Sequence, residues 1–210
     1  MNAKLKICGM KVPENILTVA ALQPDYLGFI FYKGSKRYVG DLSADFIKAI
    51  ASVKKTGVFV DEVVELIAAQ ILAYGLDAVQ LHGAESPEFC AELRLALPPA
   101  TEIIKAFGVN EYFDFDRLEA YLAHVDYFLF DTQTPDHGGS GKTFNWTLLK
   151  KYTLDKPYFL SGGISMDSVE ELNNIDDPRL YAIDVNSRFE TAHGVKNIDQ
   201  LIDFKNMLSY

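Results

Sequence analysis

The feature that most constrains the fold is a regular alternation of short β-rich apolar runs with longer segments of helical periodicity. Sharing 210 residues among eight such units gives about 26 residues for each. The alternation predicts a sheet of parallel strands with helical crossovers. The predicted strands are Leu5–Cys8, Tyr26–Phe31, Thr56–Val60, Ala78–His82, Glu102–Phe107, Tyr127–Asp131, Tyr158–Ser161 and Tyr181–Val185. The predicted helices are Pro13–Leu22, Ala44–Ser52, Val63–Tyr74, Pro87–Ala96, Phe115–Ala123, Met166–Asn173 and Ile198–Leu208, with a weaker pattern at Trp146–Lys151.

Eight units of this length predict an α/β fold, a (β/α)8 TIM barrel that occupies residues 1–210 as a single domain. The structural alternative is an open, doubly wound sheet. That fold usually has a glycine-rich first turn, and the turn here, Cys8-Gly9-Met10-Lys11, lacks the dinucleotide-binding pattern.

Composition narrows the classes of partner. The net charge of −9 predicts repulsion of nucleic acids and acidic membranes. No apolar run reaches the roughly 20 residues that a membrane-spanning helix needs. The polar start, Met1 to Lys6, does not resemble a signal peptide. The two cysteines, Cys8 and Cys90, are interpreted as reduced thiols. We therefore expect a cytoplasmic protein.

Two strand ends carry a candidate pair for proton transfer. Cys8 ends the first predicted strand and Asp131 ends the sixth. In a barrel, catalytic residues lie at the carboxyl ends of the strands, which makes this thiol and this carboxyl a candidate base and acid. Lys6 points to the same side of its strand as Cys8, so we expect its charge to lower the pKa of the thiol. A buried, inert cysteine and an ordinary loop carboxylate are the alternatives.

Glycine-rich segments follow the sixth and seventh predicted strands. Gly162 and Gly163, directly after the seventh strand, let backbone N–H groups approach an anion, and Asn186-Ser187-Arg188 after the eighth strand could complete a phosphate site. An ordinary tight turn is the alternative. Gly138-Gly139-Ser140-Gly141-Lys142-Thr143 resembles the end of a P-loop, but Asp136 stands where that motif needs glycine. A flexible loop over the active site explains these glycines better.

The four histidines do not form a metal motif. None of His82, His124, His137 and His193 has ligand spacing with another histidine or with a cysteine, so the sequence predicts no metal site. His82 ends the fourth strand and is placed to line a pocket, whereas the other three are interpreted as surface or loop residues.

Several segments, in order, resemble the phosphoribosylanthranilate isomerase family. The resemblance rests on Lys6-Ile7-Cys8-Gly9, Ser35-Lys36-Arg37-Tyr38-Val39, Gly57-Val58-Phe59-Val60, Val79-Gln80-Leu81-His82-Gly83, Phe130-Asp131 with Gly138 to Phe144 and Trp146, Leu160-Ser161-Gly162-Gly163-Ile164 and Ile183-Asp184-Val185-Asn186-Ser187. It covers nearly the whole chain. It implies an Amadori rearrangement of N-(5-phosphoribosyl)anthranilate in tryptophan biosynthesis, without a cofactor, by a monomer or homodimer.

The resemblance also implies roles for particular residues. Asp131 is then the general acid for the furanose ring oxygen, and Cys8, as thiolate, the base that removes the C2 proton. Arg37 binds the anthranilate carboxylate. The remaining implied contacts are Gln80, His82 and Asp184 in the pocket and Gly162, Gly163, Asn186, Ser187 and Arg188 at the phosphate.

Some features depart from the family or favour another function. Many relatives have Ser-Ser-Gly-Val-Glu where this chain has Asn186-Ser187-Arg188-Phe189-Glu190, and Glu14-Asn15 replaces an acidic pair. A Schiff-base aldolase that uses Lys105 is one rival. The others are a phosphate-ligand sensor without activity and the related histidine-pathway isomerase, which uses two aspartates where this chain has Cys8 and Asp131.

Overall fold

The eight predicted strands form a closed barrel. The computed structural model describes residues 3–40, 42–51, 53–132 and 145–208. Each strand pairs in parallel with the next, and the eighth returns to the first, so the predicted (β/α)8 architecture is confirmed. The observed strand ends differ from the predicted ones by at most two residues. The strands are β1 Lys4–Ile7, β2 Tyr26–Ile30, β3 Lys54–Phe59, β4 Ala78–Leu81, β5 Glu102–Val109, β6 Tyr127–Thr132, β7 Tyr158–Leu160 and β8 Leu180–Val185.

Helices cover the outside of the barrel, and local sequence signals set their ends. Before α4, the Ser86 side chain accepts a hydrogen bond from the Phe89 backbone N–H, and Pro87 occupies the first turn. Gly75, in the left-handed conformation, ends α3. The α-helices are α1 Pro13–Ala21, α2 Ala44–Lys48, α3 Val64–Tyr74, α4 Pro87–Ala96, α5 Val169–Asn173 and α6 Ile198–Met207. None of the helices in the described part of the chain could cross a membrane.

Two predicted helical segments are 3₁₀ helices. They span Asp116–Tyr121, within a segment predicted as an ordinary helix, and Trp146–Lys151. The physical reason is a spacing of three between buried residues, since side chains three apart lie directly above one another in a 3₁₀ helix. The buried triplets are Phe115, Leu118 and Tyr121, and Trp146, Leu149 and Tyr152. A further short 3₁₀ turn, Met166–Ser168, precedes α5.

The sequence did not predict a small antiparallel ribbon after β8. It consists of β9 Glu190–Ala192 and β10 Val195–Lys196. The Asn15 side chain in α1 fixes the ribbon because its amide donates to the Lys196 carbonyl at 2.9 Å and accepts from the Lys196 N–H at 2.8 Å. The departure at Glu14-Asn15 therefore has a structural role.

The barrel interior is layered. An apolar layer fills its middle, built from Tyr26, Ala78, Ile104, Ala106, Leu129, Phe159 and Ala182. Nearer the carboxyl ends the interior becomes polar: Lys6 and Asp184 are register partners on β1 and β8, and Gln80 joins them from β4. Two residues beyond Leu129, Asp131 points to the same inner side. The predicted loop at 138–143 lies outside the described residues.

Candidate active site

A cavity of about 450 Å³ opens at the carboxyl ends of the strands. Every site residue predicted from the sequence lines it: Cys8, Arg37, Gln80, His82, Asp131, Gly162, Gly163, Asp184, Asn186, Ser187 and Arg188. The same wall includes Tyr32, Lys36, Ser161 and His193, which were not predicted as site residues. The volume lies within the range of small-molecule pockets.

Cys8 lies just beyond β1 at the cavity floor. Its backbone N–H donates to the Val185 carbonyl at 2.9 Å, which ties the residue to β8. The thiol lies over Gly28 of β2, where an added Cβ would be 2.5 Å from Sγ. Glycine at position 28 therefore provides the space that the sulfur occupies.

The electrostatics of Cys8 correct one expectation. Burial raises the pKa of the Cys8 thiol above its ordinary value, and Asp184 adds to that effect. Lys6 and Lys196 act in the opposite direction, as positive charges do, but burial outweighs them. The predicted net lowering of the pKa by Lys6 is therefore wrong, although the contact with Lys6 is present.

Lys6 forms a buried polar cluster with β4 and β8. Its Nζ lies 2.8 Å from Asp184 Oδ2 and 2.8 Å from Gln80 Oε1, and its side chain is 0% exposed. Burial raises the pKa of the Asp184 carboxyl, and the Lys6 ammonium opposes that rise. Within the described ranges, Asp184 Oδ1 is a buried oxygen without a hydrogen-bond partner.

His82 connects this cluster to Asp131. The Gln80 side-chain Nε2 lies 2.8 Å from His82 Nδ1, and His82 Nε2 lies 3.3 Å from Asp131 Oδ2. The Thr132 backbone N–H donates to Asp131 Oδ1 at 2.8 Å. Gly162, with a φ of +93°, closes over the same carboxyl, where an added Cβ would be 2.7 Å from Oδ1. The carboxyl thus contacts His82, directly after β4, and the Thr132 N–H of β6, and the loop after β7 packs closely against it.

Arg37 is held by a carboxylate of its own chain. Its Nε and Nη2 atoms donate to both oxygens of Glu190 at 2.7–3.0 Å, and Lys196 Nζ donates to Glu190 Oε1 at 2.7 Å. Burial alone would raise the pKa of Glu190, but the hydrogen bonds from Arg37 and Lys196 hold it below its usual value. A ligand carboxylate must therefore use the other edge of the guanidinium. Glu190 and Lys196 were not predicted as site residues.

Loops after β7 and β8 form a further part of the cavity wall. Gly162 and Gly163 both have positive φ, +93° and +68°. The Asn186 side-chain oxygen accepts from the buried Lys196 Nζ at 2.7 Å, while Arg188 is exposed at the cavity wall. The ammonium of Lys196 thus joins the loop after β8 to the carboxylate that holds Arg37.

Lys105 does not suit imine formation. Its neighbours Ile104 and Ala106 belong to the interior layer, so Lys105 faces away from the barrel axis. Its Nζ lies 3.0 Å from Glu85 Oε2 and 2.9 Å from the Gly83 carbonyl. The geometry therefore gives the aldolase alternative no support. In the described ranges, no group of three or more His, Cys, Asp or Glu side chains could hold a metal ion.

Comparison with known proteins assigns the family. Residues 5–207 match the family described as N-(5'-phosphoribosyl)anthranilate (PRA) isomerase. The enzyme of that name from Parabacteroides distasonis is 43% identical over 203 residues, 95% of this chain and 90% of the relative. Phosphoribosyl anthranilate isomerase from Thermotoga maritima has a TM-score of 0.81 at 36% identity, with 98% of both chains covered. A phosphoribosyl anthranilate isomerase in complex with reduced 1-(o-carboxyphenylamino)-1-deoxyribulose 5-phosphate has a TM-score of 0.77 at 32% identity, again over 98% of both chains. This chain belongs to the N-(5'-phosphoribosyl)anthranilate isomerase family.

Proposed function

We propose that this chain converts N-(5'-phosphoribosyl)anthranilate to 1-(2-carboxyphenylamino)-1-deoxyribulose 5-phosphate, an Amadori rearrangement in tryptophan biosynthesis, with Asp131 as general acid and Cys8 as general base. The observation that carries the proposal is that a thiol from β1 and a carboxyl from β6 line one cavity. Acid and base groups positioned in this way typically contribute 10²–10⁴-fold each.

Asp131 acts first, on the ring oxygen of the sugar. Protonated Asp131 gives its proton to that oxygen, the bond from the oxygen to C1 breaks, and the anthranilate nitrogen supplies electrons to form an iminium. The carboxylate that remains accepts the Thr132 backbone hydrogen bond at 2.8 Å.

Cys8 then removes the proton from C2. The iminium makes that proton acidic, so a thiolate of modest basicity is sufficient. The raised pKa means that the resting thiol is largely protonated near neutral pH. The ammonium of Lys6 and the cationic iminium beside it both favour the thiolate, whose proton leaves to solvent. The enolamine produced by the second proton transfer tautomerises to the ketone.

The remaining polar groups would hold the two anionic ends of the substrate. We assign the carboxylate of the anthranilate ring to the guanidinium edge of Arg37 that Glu190 leaves open. The phosphate is assigned to the loops after β7 and β8, and Gln80, His82 and Asp184 to the sugar. The phosphate residues are Gly162, Gly163, Asn186, Ser187 and Arg188.

We further propose that the protein acts in the cytoplasm as a monomer or homodimer. Light scattering, which measures the molar mass in solution, distinguishes the two.

The direct test is a fluorescence assay that follows loss of phosphoribosylanthranilate. We expect Cys8→Ser and Asp131→Asn each to reduce kcat by at least about 10²-fold, the lower end for a proton-transfer group. Matched controls are Cys90→Ser, at the buried thiol in α4, and Asp199→Asn, at an exposed carboxyl in α6. Both controls should stay near wild type. Near-normal turnover in Cys8→Ser or Asp131→Asn removes that residue from its role, and a wild type that binds the substrate without turnover contradicts the function.

A further inference from the structure

The buried ammonium of Lys6 determines which way the Gln80 amide points. An ammonium can only donate hydrogen bonds, so the amide atom 2.8 Å from Nζ must be the oxygen. Burial opposes the charge on Lys6, yet its pKa lies above the ordinary value, because the Asp184 carboxylate has its Oδ2 2.8 Å away. The lysine therefore stays charged, and the amide cannot flip without losing its donor.

The fixed amide in turn determines the protonation of His82. With its oxygen on Lys6, Gln80 presents its NH₂ group to His82 Nδ1 at 2.8 Å. An NH₂ group only donates, so Nδ1 must offer a lone pair. A neutral imidazole with an unprotonated Nδ1 carries its proton on Nε2. The imidazolium form would set an N–H against an N–H at this distance.

We infer that Lys6, through Gln80, fixes His82 as the neutral tautomer protonated on Nε2, with that N–H directed at the Asp131 carboxyl. His82 Nε2 lies 3.3 Å from Asp131 Oδ2, a distance that catalytic contacts often shorten once substrate is bound. Gln80 is thus a positioning residue that acts through His82. The effect of Gln80 on the His82 tautomer does not depend on the reaction, whereas the effect of Gln80 on the rate rests on the proposed function.

The tautomer matters to the acid step. An imidazolium at His82 would pair with an ionised Asp131, and the acid would then have no proton to give. A neutral ring that carries its proton on Nε2, with its Nδ1 lone pair engaged by Gln80, has no free site to take a proton from Asp131. It also donates a hydrogen bond to the carboxylate formed when that proton moves to the sugar. The Gln80 contact therefore excludes the unproductive proton arrangement.

The test is nitrogen NMR of protein labelled with ¹⁵N-histidine, without substrate. The His82 signals are assigned by their loss in His82→Asn. We expect wild type to show a protonated Nε2 and an unprotonated Nδ1. In Gln80→Glu the new carboxylate accepts from both Lys6 and His82, so Nδ1 should become protonated. In the same variant kcat should fall at least about tenfold, less than for loss of the acid itself. The matched control is Gln200→Glu in α6, which should leave both readouts at wild-type values.

Each outcome supports or overturns the tautomer assignment or the proposed function. A wild-type His82 that is protonated on Nδ1 near neutral pH, as the other tautomer or as imidazolium, overturns the inference. So does a Gln80→Glu protein that keeps the wild-type tautomer. If Gln80→Glu does not fold, the wild-type spectrum still decides. If wild type shows the expected tautomer but does not isomerise the substrate, the proposed function fails and the tautomer assignment stands.

Discussion

The buried ion pair of Lys6 and Asp184 allows a quantitative test of the site. The two side chains are 0% and 5% exposed, with 2.8 Å between Nζ and Oδ2. Lys6→Met leaves Asp184 without its counter-ion and Gln80 Oε1 without its donor. Removing one partner of a buried pair costs about 3–5 kcal/mol. At about 2–4 °C per kcal/mol for a chain of this size, Tm should fall by about 6–20 °C.

Two further variants isolate the effect of burial. Lys54→Met breaks a similar pair, with Nζ 2.5 Å from Glu102 Oε1, but the Lys54 side chain is 44% exposed. The free energy of unfolding of Lys54→Met should fall by only about 0–1 kcal/mol, as for other surface ion pairs. The double variant Lys6→Met/Asp184→Leu removes both buried charges. It should be much more stable than Lys6→Met alone, because apolar replacement of a whole buried pair is often neutral or stabilising.

The measurement is urea unfolding of the substrate-free protein, followed by circular dichroism and by fluorescence. Equal m values across the variants are needed for the midpoints to report stability. A loss below about 1 kcal/mol in Lys6→Met would show that the pair behaves like a surface pair. A double variant as unstable as the single one would show that the unpaired Asp184 is not the source of the loss. Either result refutes the reasoning from burial.

Three other predictions concern single residues. Alkylation of Cys8 by iodoacetamide should be slow at neutral pH and still rise above about pH 9.0, because burial raises its pKa; a rate already level at neutral pH contradicts this. Because burial raises the folded-state pKa, the contribution of the thiol to stability is fully present below the unfolded-state pKa and is lost as the pH rises through the folded-state pKa. Cys8→Ala should therefore lose less stability on alkaline titration, measured by urea unfolding. Glu190→Gln should weaken the hold on Arg37 and raise KM at least about threefold with a smaller change in kcat, since a charge-assisted hydrogen bond contributes about 1.5–3 kcal/mol; unchanged steady-state kinetics contradict it.

The barrel and its mouth were predictable because they depend on local signals. Alternating strand and helix patterns place each strand end in the sequence, and a closed parallel barrel collects all those ends on one face. Cys8 and Asp131 could therefore be assigned to one cavity although 123 positions separate them in the sequence. The 3₁₀ helices also had a signal, the spacing of three in Phe115, Leu118 and Tyr121, which a helical interpretation of the same segment overlooked.

What the sequence could not supply is pairing across the fold. Glu190 lies 153 positions from Arg37, and no local pattern joins a carboxylate in an unpredicted ribbon to an arginine in the second loop. The pKa of Cys8 shows the same limit. The nearby charge of Lys6 was visible in the sequence, but the degree of burial, which decides the direction of the shift, depends on the packing of β2 and β8 around the sulfur.

The charges around the cavity suit the anionic substrate that it is proposed to bind. The chain carries a net charge of −9, yet Lys36, Arg37 and Arg188 line the cavity wall. Beneath them the buried carboxylates are already engaged: Asp184 with Lys6, and Glu190 with both Arg37 and Lys196. Among the lining residues, the three cations outnumber the two carboxyls, Asp131 and Asp184, which leaves an excess of positive charge at the mouth. A substrate with a phosphate at one end and a carboxylate at the other is repelled by the rest of the surface and attracted here. The internal ion pairs thus orient the catalytic groups without cancelling the field that an anionic substrate needs.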